Sequence, residues 1–420
     1  MTMSAGTAHA QPMRQRADLT YRQNIQHGRH GWLRLTPAYS VRLVEQVLAE
    51  FGDGARNVFE PFSGTGTTPL CAAYRGLRAV ATDINPFLIW LGRVKSAQYS
   101  DAQRRQFEAA AKQICIRLRD GSARPAEVPP LKNIERWWNP AELSFITGLR
   151  GEVERAPAGV VRDLLKVAFC RTMISLSNAA FNHQSMSFKD VETSKQVALI
   201  LEAPSGRFID QFLADVTTVA TAATDNPDGE IRIDKVDARG FGRLHIEEGL
   251  FDLLITSPPY PNRMSYIREL RPYMYWLGFL GDAKEAGELD WEAIGGTWGI
   301  ATSRLLTWKP TDAFIPDYLL PIIDKIRTGH PKNGELMAQY VHKYFDDMFC
   351  HFLTAAQIVR PGGSAHYIVG NSTFYGHIVP AERLYVDQLT KAGFRNAGAR
   401  AIRKRNSKKE LVEFHVIAER

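Results

Sequence analysis

Cysteine is scarce and does not cluster. Cys71, Cys115, Cys170 and Cys350 are the only four in 420 residues, with no Cys-x-x-Cys pair and no Cys/His spacing suited to zinc. That excludes a disulfide framework and a zinc module; the four read as buried thiols in a reducing compartment. Cys350 and His351 are adjacent, so their side chains diverge along a helix, which favours the core over a site. No apolar stretch approaches the roughly 18–20 residues needed to span a bilayer, and the N-terminus has no apolar signal core. A cytoplasmic protein with no membrane partner is expected. Neither sign of charge dominates: 52 Lys and Arg against 45 Asp and Glu give +7, which is permissive for a polyanionic partner and no more. No internal repeat is visible. Residues 1–20 are small and polar enough for a disordered arm, whose Arg14 and Arg16 touch phosphate or are simply solvated.

What is present centres on Ser257-Pro258-Pro259-Tyr260, which follows the apolar run Leu253-Leu254-Ile255-Thr256 as a loop leaves a buried strand. Two prolines fix φ and remove N–H groups, so the carbonyls there can face a ligand instead of a ladder. A hydroxyl and a carbonyl together accept the two hydrogens of an exocyclic amine, and Tyr260 offers a flat face to a base. A Pro-Pro turn with a core tyrosine accounts for the tetrapeptide alone equally well. The second signal lies almost two hundred residues earlier. Asn57-Val58-Phe59-Glu60-Pro61-Phe62-Ser63-Gly64-Thr65-Gly66-Thr67-Thr68 runs from a short strand through a Gly-containing turn into a helix, and the next apolar run ends at Asp83, seventeen positions after Gly66. Glycine allows close backbone approach to a cofactor, and an acid at that offset is where a nucleoside-binding βαβ unit receives ribose hydroxyls.

Together these segments resemble the S-adenosylmethionine-dependent DNA amino-methyltransferases, of the type acting on cytosine N4 or adenine N6. Phe62-Ser-Gly-Thr-Gly66 is similar to their cofactor loop, and Ser257-Pro-Pro-Tyr260 to the serine form of their catalytic loop. The resemblance implies a cofactor, S-adenosyl-L-methionine, held by Pro37 and Tyr39 at its methionine end, by Glu60 and Phe62 to Thr68 along the loop, and by Asp83, Ile84 and Asn85 at the ribose. It places Asp237 and Ala238 at the adenine, with Ser257 shared between cofactor and catalysis. Val359-Arg-Pro-Gly-Gly363 and Tyr367 to Thr373 look like the family's late turn and strand. The resemblance covers roughly residues 21–95 and 231–420. Two features depart from the pattern: Glu60 stands where Asp is more common, and the cofactor loop precedes the catalytic loop.

Between these segments the spacing turns helical. Val160, Leu164, Val167, Ala168, Met173 and Leu176 read as one buried helix face within an insertion over 96–230. Arg136-Trp137-Trp138-Asn139-Pro140 either stacks on nucleic acid or anchors this lobe. Ser177 to Gln184 carries amides and hydroxyls that meet base edges or cap a helix. A second insertion, 279–335, shows little regular pattern and carries Trp291, Trp298 and Trp308; target recognition is assigned jointly to the two insertions. Ala399 to Ile402 and Glu413 to Ile417 read as paired strands around a basic tip. There Arg403, Lys404, Arg405, Lys408 and Lys409 grip a DNA backbone, or form a solvated hairpin end.

The expected fold is α/β: a doubly wound, mostly parallel Rossmann-like methyltransferase sheet ending in an antiparallel hairpin, with an inserted helical lobe. The chain divides into an arm (1–20), sheet segments (21–95, 231–278, 336–420) and the two insertions. The resemblance implies methyl transfer to a flipped base of double-stranded DNA. Serine in the first loop position points to cytosine N4, with adenine N6, an RNA amine, or an inactive nucleic-acid-binding paralogue as alternatives. A nucleophilic-cysteine mechanism at carbon is disfavoured, since no Pro-Cys pair occurs. No metal is called for, and a restriction endonuclease is a natural companion.

Overall fold

In the computed structural model, which describes residues 13–35, 38–180, 187–188, 204–241, 250–405 and 410–420, seven strands form one sheet. They are β1 (Asn57–Glu60), β2 (Arg78–Asp83), β3 (Ile231–Lys235), β4 (Phe251–Thr256), β5 (Val359–Gly370), β6 (Arg395–Lys404) and β7 (Val412–Glu419). Their order across the sheet is β6-β7-β5-β4-β1-β2-β3. The five strands from β5 to β3 pair in parallel, while β7 runs antiparallel to both β5 and β6. This is the doubly wound sheet with a terminal hairpin that the sequence implies.

Alternation along each strand explains why both faces are covered. Val58 and Leu253 point to the face holding α1 (Val41–Phe51) and α2 (Thr67–Tyr74), while Phe59 and Leu254 point to the opposite one. That opposite face is covered by the long helix Gly334–Ile358 and by Ala381–Lys391. Successive apolar residues are therefore all buried, which is why these strands read as short unbroken runs.

The chain reverses its winding between β1 and β4. From β1 it proceeds outward through β2 to β3, then returns to β4 on the other side of β1. A crevice opens at the carboxyl ends of strands at such a switch point. The loop after β1 and the loop after β4 both leave the sheet there, since Val58 pairs with Leu253 and Phe59 with Leu254.

The inserted lobe is helical, as expected, and is fused to the sheet rather than appended to it. Helices α3 (Pro86–Ser96), α4 (Asp101–Arg119), α5 (Pro140–Arg155), α6 (Val160–Ser175) and α7 (Pro204–Ala222) share one apolar core with α8 (Tyr266–Trp276), the helix after the catalytic loop. Trp137 and Trp138 sit inside that core, 1% and 0% exposed, and the Trp138 indole N–H donates to the Met173 carbonyl at 2.8 Å. They anchor the lobe; truncating either should cost about 3–5 kcal/mol. A reciprocal cap starts α4, with Ser100 Oγ accepting from Gln103 N and Gln103 Oε1 accepting from Ser100 N.

Three expectations are corrected. Residues 279–335 contain three helices, α9 (Ala283–Glu292), α10 (Ile300–Thr307) and α11 (Leu319–Thr328); their shortness hid the period. The expected arm is structured from residue 13 onward: Gln15 bridges Lys404 in parallel, Ala17–Leu19 forms a single turn, and Leu19 is 3% exposed. Its Arg16 pairs with Asp18 at 2.6 Å. Cys350 is half-buried, whereas Cys71, Cys115 and Cys170 are buried. His351 is in the core, bonded to the Ala238 carbonyl and the Tyr367 hydroxyl. No helix among the described residues is long and apolar enough to cross a membrane.

Candidate active site

At the switch point lies a cleft of about 1330 Å³ lined by both loops. The loop after β1 forms one wall. Gly64 and Gly66 adopt φ of +50° and +75°, a left-handed conformation that L side chains rarely enter. A Cβ on Gly66 would stand 3.4 Å from the Gly92 Cα, so the glycine also lets α3 pack against the turn. Ser63 N donates to the Thr82 carbonyl at 2.8 Å, and Asp83 reaches across with both oxygens. Oδ2 accepts from Gly64 N and Oδ1 from Asn85 N, each at 2.8 Å. Burial pushes the Asp83 carboxyl up to about 6 against those donors. Asn85 caps α3 by accepting from Phe87 N at 3.0 Å.

Behind this wall stands a second acid. Glu60 accepts from Phe62 N at 3.0 Å, from the Thr68 hydroxyl at 2.7 Å and from the Tyr39 hydroxyl at 3.0 Å. Its burial outweighs these donors and pushes its carboxyl up to about 8. Glu60, Gly66, Thr67 and Thr68 therefore support the loop from behind, whereas Tyr39, Phe62, Ser63, Gly64, Thr65, Asp83, Ile84, Asn85, Asp237 and Ala238 line the cleft. Pro37 lies outside the described residues. The Lys95 ammonium, 1% exposed, donates to the Thr65 carbonyl at 3.0 Å, and burial pushes it down to about 7. Asp237 is clamped by Arg239, whose guanidinium also reaches Asp347 at 3.0 Å. Burial opposes ionisation of Asp237, but Arg239 prevails and holds it below the usual carboxylate value.

Ser257, Pro258, Pro259 and Tyr260 form the facing wall. Ser257 Oγ donates to the Ile368 carbonyl at 3.1 Å, which leaves its lone pairs free to accept. The Pro259 carbonyl is held by the Tyr344 hydroxyl at 2.6 Å, and Arg263 N donates to the Tyr340 hydroxyl at 3.0 Å. Tyr340 and Tyr344, one turn apart on α12 (Gly334–Ile358), thus brace the loop at two points. Among the described residues none donates to the Pro258 carbonyl. Two acceptors, Ser257 Oγ and Pro258 O, remain available in this loop.

Tyr260 is not a free platform. Its hydroxyl donates to Glu413 Oε1 at 2.9 Å, and the Arg405 guanidinium covers one face of its ring at 5.0 Å. Arg403 engages both oxygens of Glu413 at 2.8 and 3.1 Å, and Arg405 donates to the Asn371 carbonyl at 2.7 Å. Two of the cations assigned to a DNA grip are therefore turned inward and line the cleft. Lys404 N bonds the Arg14 carbonyl; Lys408 and Lys409 lie outside the described residues. Glu413 and the two tyrosines of α12 were not among the residues the sequence singled out.

No protein-family model matches the chain. It is 21% identical to a curated protein, the type II methyltransferase M.BsoBI of Geobacillus stearothermophilus, in an alignment covering 95% of this chain and 86% of that one. It is 20% identical to the type II methyltransferase M.MvaI of Kocuria varians, over 84% of this chain and 77% of that one. At family level these relatives support an S-adenosylmethionine-dependent DNA methyltransferase. Among solved structures, the alignment with TrmN from Thermus thermophilus has a TM-score of 0.31 at 11% identity and covers 95% of this chain, which spans about half of that one (52%). The rRNA methyltransferase aviRa of Streptomyces viridochromogenes gives 0.32 at 11% identity, covering 95% and 96%. The cleft fits S-adenosyl-L-methionine on two observations: the left-handed glycine turn that admits close backbone approach, and the buried Ser63 hydroxyl in its wall, which has no hydrogen-bond partner among the described residues.

Proposed function

We propose that this methyltransferase modifies the N4 amine of a cytosine extruded from double-stranded DNA, as the protective half of a restriction-modification pair. The observation that supports it best is the pair of acceptors, Ser257 Oγ and Pro258 O, in the loop after β4, the strand that pairs with β1 and so brings this loop beside the cofactor loop. S-adenosyl-L-methionine, when bound, supplies a methyl group made electrophilic by its sulfonium. Asp237 would receive the adenine amine, Asp83 the ribose hydroxyls through its remaining lone pairs, and Ser63 to Thr65 the chain between them. Tyr39 lies on the same wall.

An aromatic amine is a poor nucleophile because its lone pair is delocalised into the ring. Hydrogen bonds from its two protons to Ser257 and Pro258 favour a tetrahedral nitrogen and expose that lone pair. These bonds strengthen as the geometry changes, so they act on the transition state more than on binding. Alignment in a closed cleft supplies much of the rest. Extrusion costs a few kcal/mol, offset in part by stacking on Tyr260 worth about 1–3 kcal/mol.

Mass spectrometry of nucleosides from treated duplex tests the proposal. N4-methylcytosine is expected. N6-methyladenine would overturn the serine argument, 5-methylcytosine would overturn the mechanism, and modification of RNA alone would overturn the substrate. Ser257→Ala should mainly slow transfer.

A further inference from the structure

Three guanidinium groups on the rim of the cleft have no acidic partner among the described residues. Arg22, Arg263 and Arg268 line it; the first two are exposed and the third is half-buried. Among the described residues no carboxylate forms an ion pair with any of them. Their neighbours behave differently: Arg16 and Arg42 share Asp18 at 2.6 and 2.8 Å, and Arg403 is bound by Glu413. Unpaired cations gathered at the mouth of a binding cleft, rather than scattered, create a field that draws an anion there.

Arg263 adds an independent observation. Three residues past Tyr260, it holds φ at +60°, a conformation suited to glycine, and its N–H is locked on the Tyr340 hydroxyl, a side chain 1% exposed. The fold spends backbone strain to keep a long cationic side chain at a position where glycine would fit without strain. Strain of this kind persists where the surrounding structure enforces it, and it clusters at ligand-binding sites.

We propose that Arg22, Arg263 and Arg268 clamp the backbone phosphates on either side of the nucleotide whose base enters the cleft, with Arg263 as the central contact. This rests on the reading of the cleft as a pocket for a DNA base. A nucleotide cannot enter without bringing its two phosphates to the rim, and the inward-turned Arg403 and Arg405 are already committed to other partners. The phosphate grip thus belongs to the rim of the catalytic loop more than to the basic hairpin.

The test measures binding of the full-length protein to a mixed-sequence duplex across a salt series, by fluorescence anisotropy. Wild type is compared with Arg263→Gly and with Arg263→Gly/Arg268→Ala. Glycine suits the left-handed backbone, so the variant should melt no lower than wild type. Each guanidinium removed should flatten the slope of log affinity against log salt by about 0.9, hence by about 1.8 in the double variant, whatever the duplex sequence. Affinity for S-adenosylmethionine, measured by calorimetry, should not move. Duplex binding with an unchanged slope in both variants would overturn the clamp and leave the base pocket standing. A wild type that binds the donor but no duplex would overturn both.

Discussion

Replacing Glu60 with glutamine should stabilise the protein above neutral pH while keeping the cofactor loop in place. Glu60 is 1% exposed, and its carboxyl is pushed from an ordinary 4.5 to about 8, burial being the largest cause. A carboxyl with a folded value above its unfolded one holds its proton more tightly in the native state. Its contribution to stability is fully present below about 4.5, is lost progressively as pH rises towards 8, and stays lost above that. At about 1.4 kcal/mol per pH unit the whole interval corresponds to roughly 5 kcal/mol, which relaxation and water entry reduce to a few.

Glutamine removes that dependence at little structural cost. Its carbonyl oxygen can keep the Phe62 N–H, and its amide hydrogens can be accepted by the Thr68 and Tyr39 hydroxyls, which turn from donor to acceptor. Two nearby groups titrate in the same range with opposite signs. Asp83, raised to about 6, also loses stability as pH rises; Lys95, lowered to about 7, gains it, because the unfolded chain binds a proton that the native state refuses. Comparing wild type with Glu60→Gln at each pH cancels both. The difference in Tm should be near zero at about pH 5 and grow to a few degrees by about pH 9. Parallel curves across that range would refute burial as the dominant influence on Glu60.

Asp83→Asn forces an amide NH2 against either Gly64 N or Asn85 N, so donor affinity should fall by about tenfold to a hundredfold, the scale of one charge-assisted hydrogen bond; unchanged calorimetric affinity in a folded variant would remove Asp83 from the site. Tyr344→Phe frees the Pro259 carbonyl and should lower stability by about 1–3 kcal/mol and slow transfer at unchanged donor affinity. An unaltered single-turnover rate would detach α12 from the chemistry. Arg403→Ala leaves Glu413 buried without its cation and should cost about 3–5 kcal/mol of stability with no change in the salt slope of DNA binding; a slope flatter by about 0.9 would return Arg403 to the phosphates.

The parts of this site that were legible are those whose signal is local. Strand, glycine turn, helix, strand and acid follow one another within Asn57 to Asp83, and each has a cause acting over a few residues. The pairing of Ala399 with Val416 and Ala401 with Phe414 follows from alternation across a tip. The bracing of the catalytic loop had no such trace, because Tyr344 meets Pro259 across 85 positions and Glu413 meets Tyr260 across 153. Only one clue existed: Glu413 is an acid at the start of a mostly apolar strand, where it is 5% exposed, and a buried acid needs a partner. The inward pairing of Arg403 and Arg405 was missed for the same reason. Solvent and phosphate are the two destinations that composition suggests for a cation, and a carboxylate far away in sequence is a third that it cannot show. Tryptophan at 137 and 138 resolved towards the core because a large apolar surface is most strongly stabilised there.

Strand direction explains why that hairpin reaches the site at all. The parallel strands β1, β2, β3, β4 and β5 share one direction, and the cleft is walled by the segments that follow β1, β2, β3 and β4. β7 is antiparallel to β5, with Glu413 opposite Gly370, which brings the start of β7 to the same end. β6 is antiparallel to β7 in turn and delivers its last residues, Arg403 and Lys404, beside Glu413. The end of β6 and the start of β7 therefore lie at the catalytic loop and not at the far side of the sheet. An acid from the first residues of β7 and two arginines from the end of β6 and the residue after it can then hold the Tyr260 ring from behind, while the rim arginines near the catalytic loop remain open to an anionic strand.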